Sequence, residues 1–144
     1  NFTGDAEVTT YLPTAVGSTD QWSVTGASSS YQAVDETTPN GNTDYISSSV
    51  VGDNTLFTYG TVPDATNIIA VVPIPFAEKT DAGTAQLASV VAVSGSSSVA
   101  GATQAPSSGS YEYFPDIISL STATGLSWTA TEWNSIQIGP RRVA

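Results

Sequence analysis

The hydrophobic and polar positions of this chain alternate in short runs, a pattern typical of strands. Residues 5–12 (DAEVTTYL) alternate in this way and predict a half-buried strand that Pro13 ends. Residues 31–36 (YQAVDE) alternate too and predict a second strand. Such runs recur roughly every ten positions, separated by turn residues, and amount to about eight or nine strands. Because no linker divides the sequence, we expect one all-β domain over 1–144, a sandwich or a barrel.

The most apolar segment, 67–80 (NIIAVVPIPFAEKT), contains two prolines that forbid a helix. As a strand it has an unusual property, because amides two residues apart point toward the same neighbouring strand. Pro73 and Pro75 therefore both remove a donor from one side of the strand. We expect an edge or a bulge at this place.

One helical turn is predicted near the end of the chain, in residues 127–139 (SWTATEWNSIQIG). Thr129 and Glu132 have the spacing of a capping box. Trp128 and Trp133 are five positions apart and so do not share a helical face. We expect one of them to pack on the sandwich and the other to cover its end. Residues 135–139 then predict a last strand, and residues 140–144 a tail.

The composition excludes several classes of function. The net charge is −10, and the chain has only three basic residues, so neither nucleic acid nor an anionic membrane is an expected partner. No apolar run reaches the ~18 residues of a membrane span. Residues 1–8 do not resemble a signal peptide. The absence of histidine and cysteine excludes Ser-His-Asp and Cys-His catalysis, the usual zinc ligands and disulfides.

The remaining polar groups give little indication of catalysis. Asp35 and Glu36 are adjacent, so in a strand they face opposite sides, and Glu112 with Asp116 is the other candidate acid/base pair. The loop 35–44 contains oxygen ligands but not the EF-hand spacing. We therefore predict no enzyme, no cofactor and no metal site. The three tryptophans and six tyrosines leave a sugar-stacking surface open as an alternative.

Three stretches together resemble small structural proteins of tailed bacteriophages. They are 22–49 (WSVTGASSSYQAVDETTPNGNTDYISSS), 78–84 (EKTDAGT) and 127–139, in the same order along the chain. The resemblance implies a single-domain antiparallel β-sandwich of jelly-roll type with one short helix near the C-terminus. The matching residues are interpreted as fold-defining: Trp22, Tyr31, Asp35, Glu36, Tyr45, Trp128 and Glu132. Two features depart from the group's pattern, the prolines of 67–80 and the low number of basic residues.

The functional expectation from this resemblance is a non-enzymatic virion protein, assembled in the host cytoplasm. A capsid decoration (cement) protein on the outer head surface comes first, with a tail or head-fibre component as the near alternative. The expected partners are the major capsid protein or other virion proteins and further copies of the chain, with a trimer as the implied oligomer. Arg141 and Arg142 are candidates to bind an acidic partner surface, with a solvated tail as the other interpretation. A carbohydrate-binding module or adhesin is the alternative from a different class.

Overall fold

The computed structural model describes residues 6–93 and 96–144, and in these residues it is mostly β. All strand pairings within its sheets are antiparallel. The strands are β1 (Ala15–Asp20), β2 (Ser23–Thr25), β3 (Tyr45–Ser47), β4 (Thr55–Thr58), β5 (Phe76–Ala77), β6 (Leu87–Val93), β7 (Ser96–Val99), β8 (Glu112–Tyr113) and β9 (Ile136–Arg142). The α-helix α1 (Ala130–Trp133) is short, and a 3-10 turn spans Tyr31–Ala33. The predicted mostly-β chain with one short helix near its end is confirmed.

The last strand, β9, lies at the centre of the largest sheet. This five-stranded sheet has the order β1-β4-β9-β6-β7, while β2 pairs with β3 and β5 with β8 in two small sheets. The pairing of β9 with β6 runs without interruption from Ile136 opposite Val93 to Arg142 opposite Leu87. The predicted tail is therefore wrong for residues 140–142. The backbone of this stretch completes ladder bonds that a solvated tail would leave to water.

Two clusters of buried side chains lie on the two faces of this sheet. One contains Val91, Val93, Ile136 and Ile138, which alternate along β6 and β9, and Trp128 packs among them. The other contains Leu56, Val90 and Ala92. Because β6 is buried along its whole length, six of its seven residues are apolar and only Ser89 is polar.

A proline-containing ribbon packs on the first of these clusters through Val71 and Ile118. Its two segments, 71–77 and 112–118, keep one antiparallel register, with Val71 opposite Ile118 and Phe76 opposite Tyr113. Beside the prolines the bonds run one way only. Asp116 N donates to Pro73 O at 3.0 Å, and Phe114 N donates to Pro75 O at 2.8 Å. The predicted loss of a normal ladder on one side of this segment is confirmed.

Two predicted strands are absent. Residues 6–12 form no strand, and residues 6–10 are exposed, while residue 5 lies outside the described residues. Their alternation has no partner strand beside it, and a lone strand leaves its backbone groups unpaired. The segment 31–36 begins as a 3-10 turn rather than a strand. In the described part of the chain no helix is long and apolar enough to cross a membrane.

The capping box of α1 is present as predicted. Thr129 Oγ1 accepts from Glu132 N at 3.2 Å, and Glu132 Oε2 accepts from Thr129 N at 2.9 Å. The other carboxylate oxygen, Oε1, accepts from the hydroxyls of Ser121 and Thr124. The turn is thereby tied to the loop that precedes it. These bonds, that from Ser121 above all, lower the pKa of Glu132 below its ordinary value of 4.5.

We expect Glu132→Gln to remove part of the acid sensitivity of the fold. Because the folded pKa of Glu132 is lowered, its carboxylate stabilises the fold above its ordinary pKa. That contribution is lost as the pH falls through the folded pKa. Urea unfolding of the wild type and the variant between about pH 3 and pH 7 measures this, with the two curves converging at the acid end. Glu7→Gln, which removes the same charge from the exposed residues 6–10, is the matched control and should keep the wild-type slope.

Candidate interaction site

The outward side of the ribbon is an uninterrupted apolar surface. Three cross-strand pairs form it, and we call them the apolar face: Val72 with Ile117, Ile74 with Pro115, and Phe76 with Tyr113. Ile117 is 79% exposed, Tyr113 58% and Ile74 56%. The six side chains expose on the order of 500 Å², the upper range of what monomeric soluble proteins leave uncovered. None of them is charged, although the chain carries a net charge of −10.

Sequence reasoning missed this surface, although its signal is present in the sequence. Residues 71–77 are apolar at every position, and residues 112–118 are apolar at every position except Glu112 and Asp116. A strand with one buried face should alternate with polar residues. The continuous runs therefore indicated that both sides of the ribbon avoid water. The one buried carboxylate of the ribbon, Asp116, turns inward, and its Oδ1 accepts from Ala102 N at 3.2 Å.

A long groove runs beside the same ribbon and has a volume of about 1550 Å³. All of residues 67–81 line it, and so do most of residues 33–48. Phe57 and Ile138 of the large sheet line it, and so do residues 6–13. Its volume exceeds the roughly 300–1,000 Å³ of sites for small molecules. The groove therefore has room for an extended peptide segment.

The three tryptophans are engaged within the fold. Trp128 is buried and donates from Nε1 to Ile118 O at 2.8 Å. Trp133 donates to Gly60 O at 2.8 Å and packs on Tyr11, with ring centroids 4.9 Å apart. Trp22 donates to Asp53 O at 3.1 Å. Their indole groups thus bond to the ribbon at Ile118, to the chain after β4 at Gly60, and to Asp53 before β4.

The remaining motif residues form local contacts in loops. Glu36 Oε1 accepts from Asn40 Nδ2 at 3.2 Å, and the same amide contacts Asp44. Partial burial raises the pKa of Glu36, and the neighbouring Asp44 carboxylate adds to this rise. Tyr31 begins the 3-10 turn, and Tyr45 begins β3. Among the described residues no group of three acidic side chains is placed to hold a metal ion.

The candidate carboxylates of the sequence lie in the ribbon and in the loop after the 3-10 turn. Asp116 is buried in the ribbon, whereas Glu112 is exposed and accepts from Ser107 Oγ at 2.6 Å. Asp35 lies in the loop after the 3-10 turn, next to Glu36. Of these four residues, only Glu36 lines the groove.

Arg141 and Arg142 lie in the central strand β9 and are half-buried. Arg142 Nη1 donates to Ser48 O at 2.8 Å. This guanidinium lines a smaller pocket of about 530 Å³, together with Asp53 and Asp81. The arginines are thus not a solvated tail, and their role in binding a partner stays a prediction.

No family model matches the chain, and neither a curated protein nor a solved structure is significantly similar to it. Its function must therefore be inferred from the motif resemblance and from the geometry of the apolar face and the groove.

Proposed function

We propose that the chain is a non-enzymatic structural protein of a bacteriophage virion, most simply a capsid decoration protein. The apolar face carries this proposal. An uncharged apolar surface at the upper end of what monomeric proteins expose is often a functional surface that a partner covers. The major capsid protein or another virion protein is the proposed partner.

The charge distribution supports the same proposal. The acidic chain keeps free copies apart in solution, because like charges repel until a specific interface forms. The apolar face itself carries no charge and so contributes nothing to this repulsion. Binding there would depend on shape and burial rather than on opposite charge. Many equal sites on a symmetric shell would add weak contacts into stable attachment.

The jelly-roll sandwich belongs to this proposal. The five-stranded sheet would be one layer, and the ribbon with the β2–β3 hairpin would be the basis of the second. The core cluster shared by the large sheet and the ribbon supports two packed layers. The groove would then mark the place where the second layer is incomplete in a single chain.

A carbohydrate-binding module is the second candidate, and one observation favours it. Phe76 stacks on Tyr111 at 5.1 Å and contacts Tyr113 at 4.5 Å, which gives a partly exposed aromatic cluster. Such clusters bind the apolar faces of sugars. The internal hydrogen bonds of all three tryptophans weigh against this candidate, because the larger aromatic surfaces serve the fold.

The virion proposal is tested by adding the purified chain to particles that lack it, produced by a phage in which its gene is deleted. The mixture is then imaged by electron microscopy. Regular density on the head lattice supports decoration, and density at the tail or the vertices supports the fibre or tail form. A folded chain that gives no density contradicts a virion role. A positive glycan array in that case would establish the second candidate.

We expect Ile117→Glu to weaken attachment to such particles at least tenfold, about 1.4 kcal/mol. The substitution places a charge on the apolar face, at a side chain that is 79% exposed, where attachment would bury it without a partner. The side chain is exposed, so the fold should be unaffected. Val51→Glu is the matched control, since Val51 is 62% exposed and lies off the ribbon. Equal loss in both variants would indicate general charge repulsion and contradict a role of the apolar face.

A further inference from the structure

The ribbon has two outer edges, and a proline protects only one of them. Val71 and Ile118 exchange two backbone bonds, so the amides of 71, 73 and 75 point into the ribbon and those of 72 and 74 point outward. Pro73 and Pro75 occupy inward positions, where they remove bonds within the ribbon only. Pro115 occupies an outward position on the other strand. It removes a donor from that edge, as prolines of protected edges do.

The edge along residues 72–76 is therefore intact and unprotected. In the described part of the chain neither Val72 nor Ile74 has a backbone hydrogen bond to another segment. Residues 67–77 contain no charged side chain that would repel an added strand. This edge also lines the groove, whereas residues 114–120 do not. It offers the template on which an extended segment adds by main-chain hydrogen bonds.

A segment with the corresponding properties exists in the same chain. Residues 6–12, which we call the arm, have the alternation of a strand but no partner, and Val8 is 92% exposed. The arm lines the groove. In its own chain it is held at Tyr11 against Trp133 and makes no backbone bond to the 72–76 edge. The strand-like arm and the 72–76 edge thus both have backbone groups without a partner strand.

We propose that the arm of a second copy of this chain enters the groove and pairs with the edge at residues 72–76. Val8 would then be covered by the apolar residues of the ribbon that line the groove. The added strand would complete the second layer. Pro13 is the pivot, because Thr14 N already donates to Thr58 O at 2.9 Å and fixes the chain after it. Exchange of identical segments uses the same contact in each copy and closes into a symmetric oligomer. The proposal is independent of the virion function.

Cysteine cross-linking tests which copy provides the arm. The chain has no cysteine, so Val8→Cys and Ile74→Cys introduce the only thiols. The two single variants, one carrying a mass tag, are mixed and oxidised with diamide. A disulfide between tagged and untagged chains is the expected result, because paired strands bring Cα atoms within the roughly 4.4–6.8 Å that a disulfide needs. An intramolecular disulfide in the double variant without any interchain product would overturn the proposal, as would no cross-link in either experiment.

Sedimentation of full-length variants tests the edge itself. Val72→Pro removes one outward donor and should raise the dissociation constant of the oligomer at least tenfold, about 1.4 kcal/mol. Ile117→Pro is the matched control, because Ile117 lies opposite Val72 and its outward amide belongs to the proline-protected edge. It should leave the oligomer intact. Equal dissociation by both variants, or a monomeric wild type at about 100 μM, would contradict strand exchange. Since no particle is involved, this outcome is separable from failure of the virion proposal.

Discussion

Replacement of Trp128 by alanine is expected to destabilise the fold by about 4 kcal/mol, a large part of the stability of an ordinary domain. Trp128 is 3% exposed and packs among Val91, Ile136 and Ile138. Alanine would leave a large cavity there that the two rigid strands cannot close. The indole also donates to Ile118 O, so its loss loosens the ribbon that carries the apolar face. The melting temperature should fall by about 15 °C.

Trp128→Phe separates the volume of the indole from its hydrogen bond. Phenylalanine fills most of the space but has no donor for Ile118 O. That carbonyl still accepts from Val71 N at 3.0 Å, so the expected cost of the lost bond is only about 1 kcal/mol. Leu126→Ala, at a side chain that is 68% exposed, should change stability by less than about 0.5 kcal/mol. A Trp128→Ala variant as stable as the Leu126 control would show that the indole is not part of the core.

The sequence predicted best the features whose causes are local. The capping box needs only Thr129 and Glu132 three positions apart, and the contacts of α1 follow from that spacing. Residues 87–93 form strand β6 for a similarly local reason, since the valines among them suit a pleated surface. In both cases a few neighbouring residues determine the outcome.

Features that depend on distant partners were not predicted. Residues 6–12 have the alternation of a strand, but no neighbouring strand pairs with them in a single chain. The missing backbone partners outweigh the pattern. The two-residue spacing of Pro73 and Pro75 predicted that one side of their strand loses its hydrogen-bond donors. It could not show which side. Only the register with residues 112–118 shows that the weakened side faces inward, which leaves the outer edge intact.

The central position of β9 is the clearest case of a non-local cause. Gly139 and Pro140 read as the end of a strand, because both residues are unfavourable in the middle of a sheet. The structure continues the strand through them. A Cβ on Gly139 would fall on the backbone carbonyl of Thr55, so the absence of a side chain lets β4 approach β9 closely. The glycine that seemed to end the strand is what permits its central position.

Gly139→Ala is therefore expected to destabilise the fold by about 3 kcal/mol, at the upper end for overpacking. The atoms that the new methyl group meets belong to the Thr55 and Leu56 backbone. They cannot move without breaking the pairing of β4 with β9. The melting temperature should fall by about 12 °C, with the unfolded state unchanged apart from one methyl group.

Gly60→Ala is the matched control for this substitution. Its Cβ would lie 3.3 Å from the Tyr11 ring, a side chain that can shift, so we expect a change below about 0.5 kcal/mol. Since the two variants add the same methyl group, their difference isolates the close approach of the two backbones. A neutral Gly139→Ala would mean that β4 does not pass over Gly139. It would then contradict the central position of β9 in the sheet.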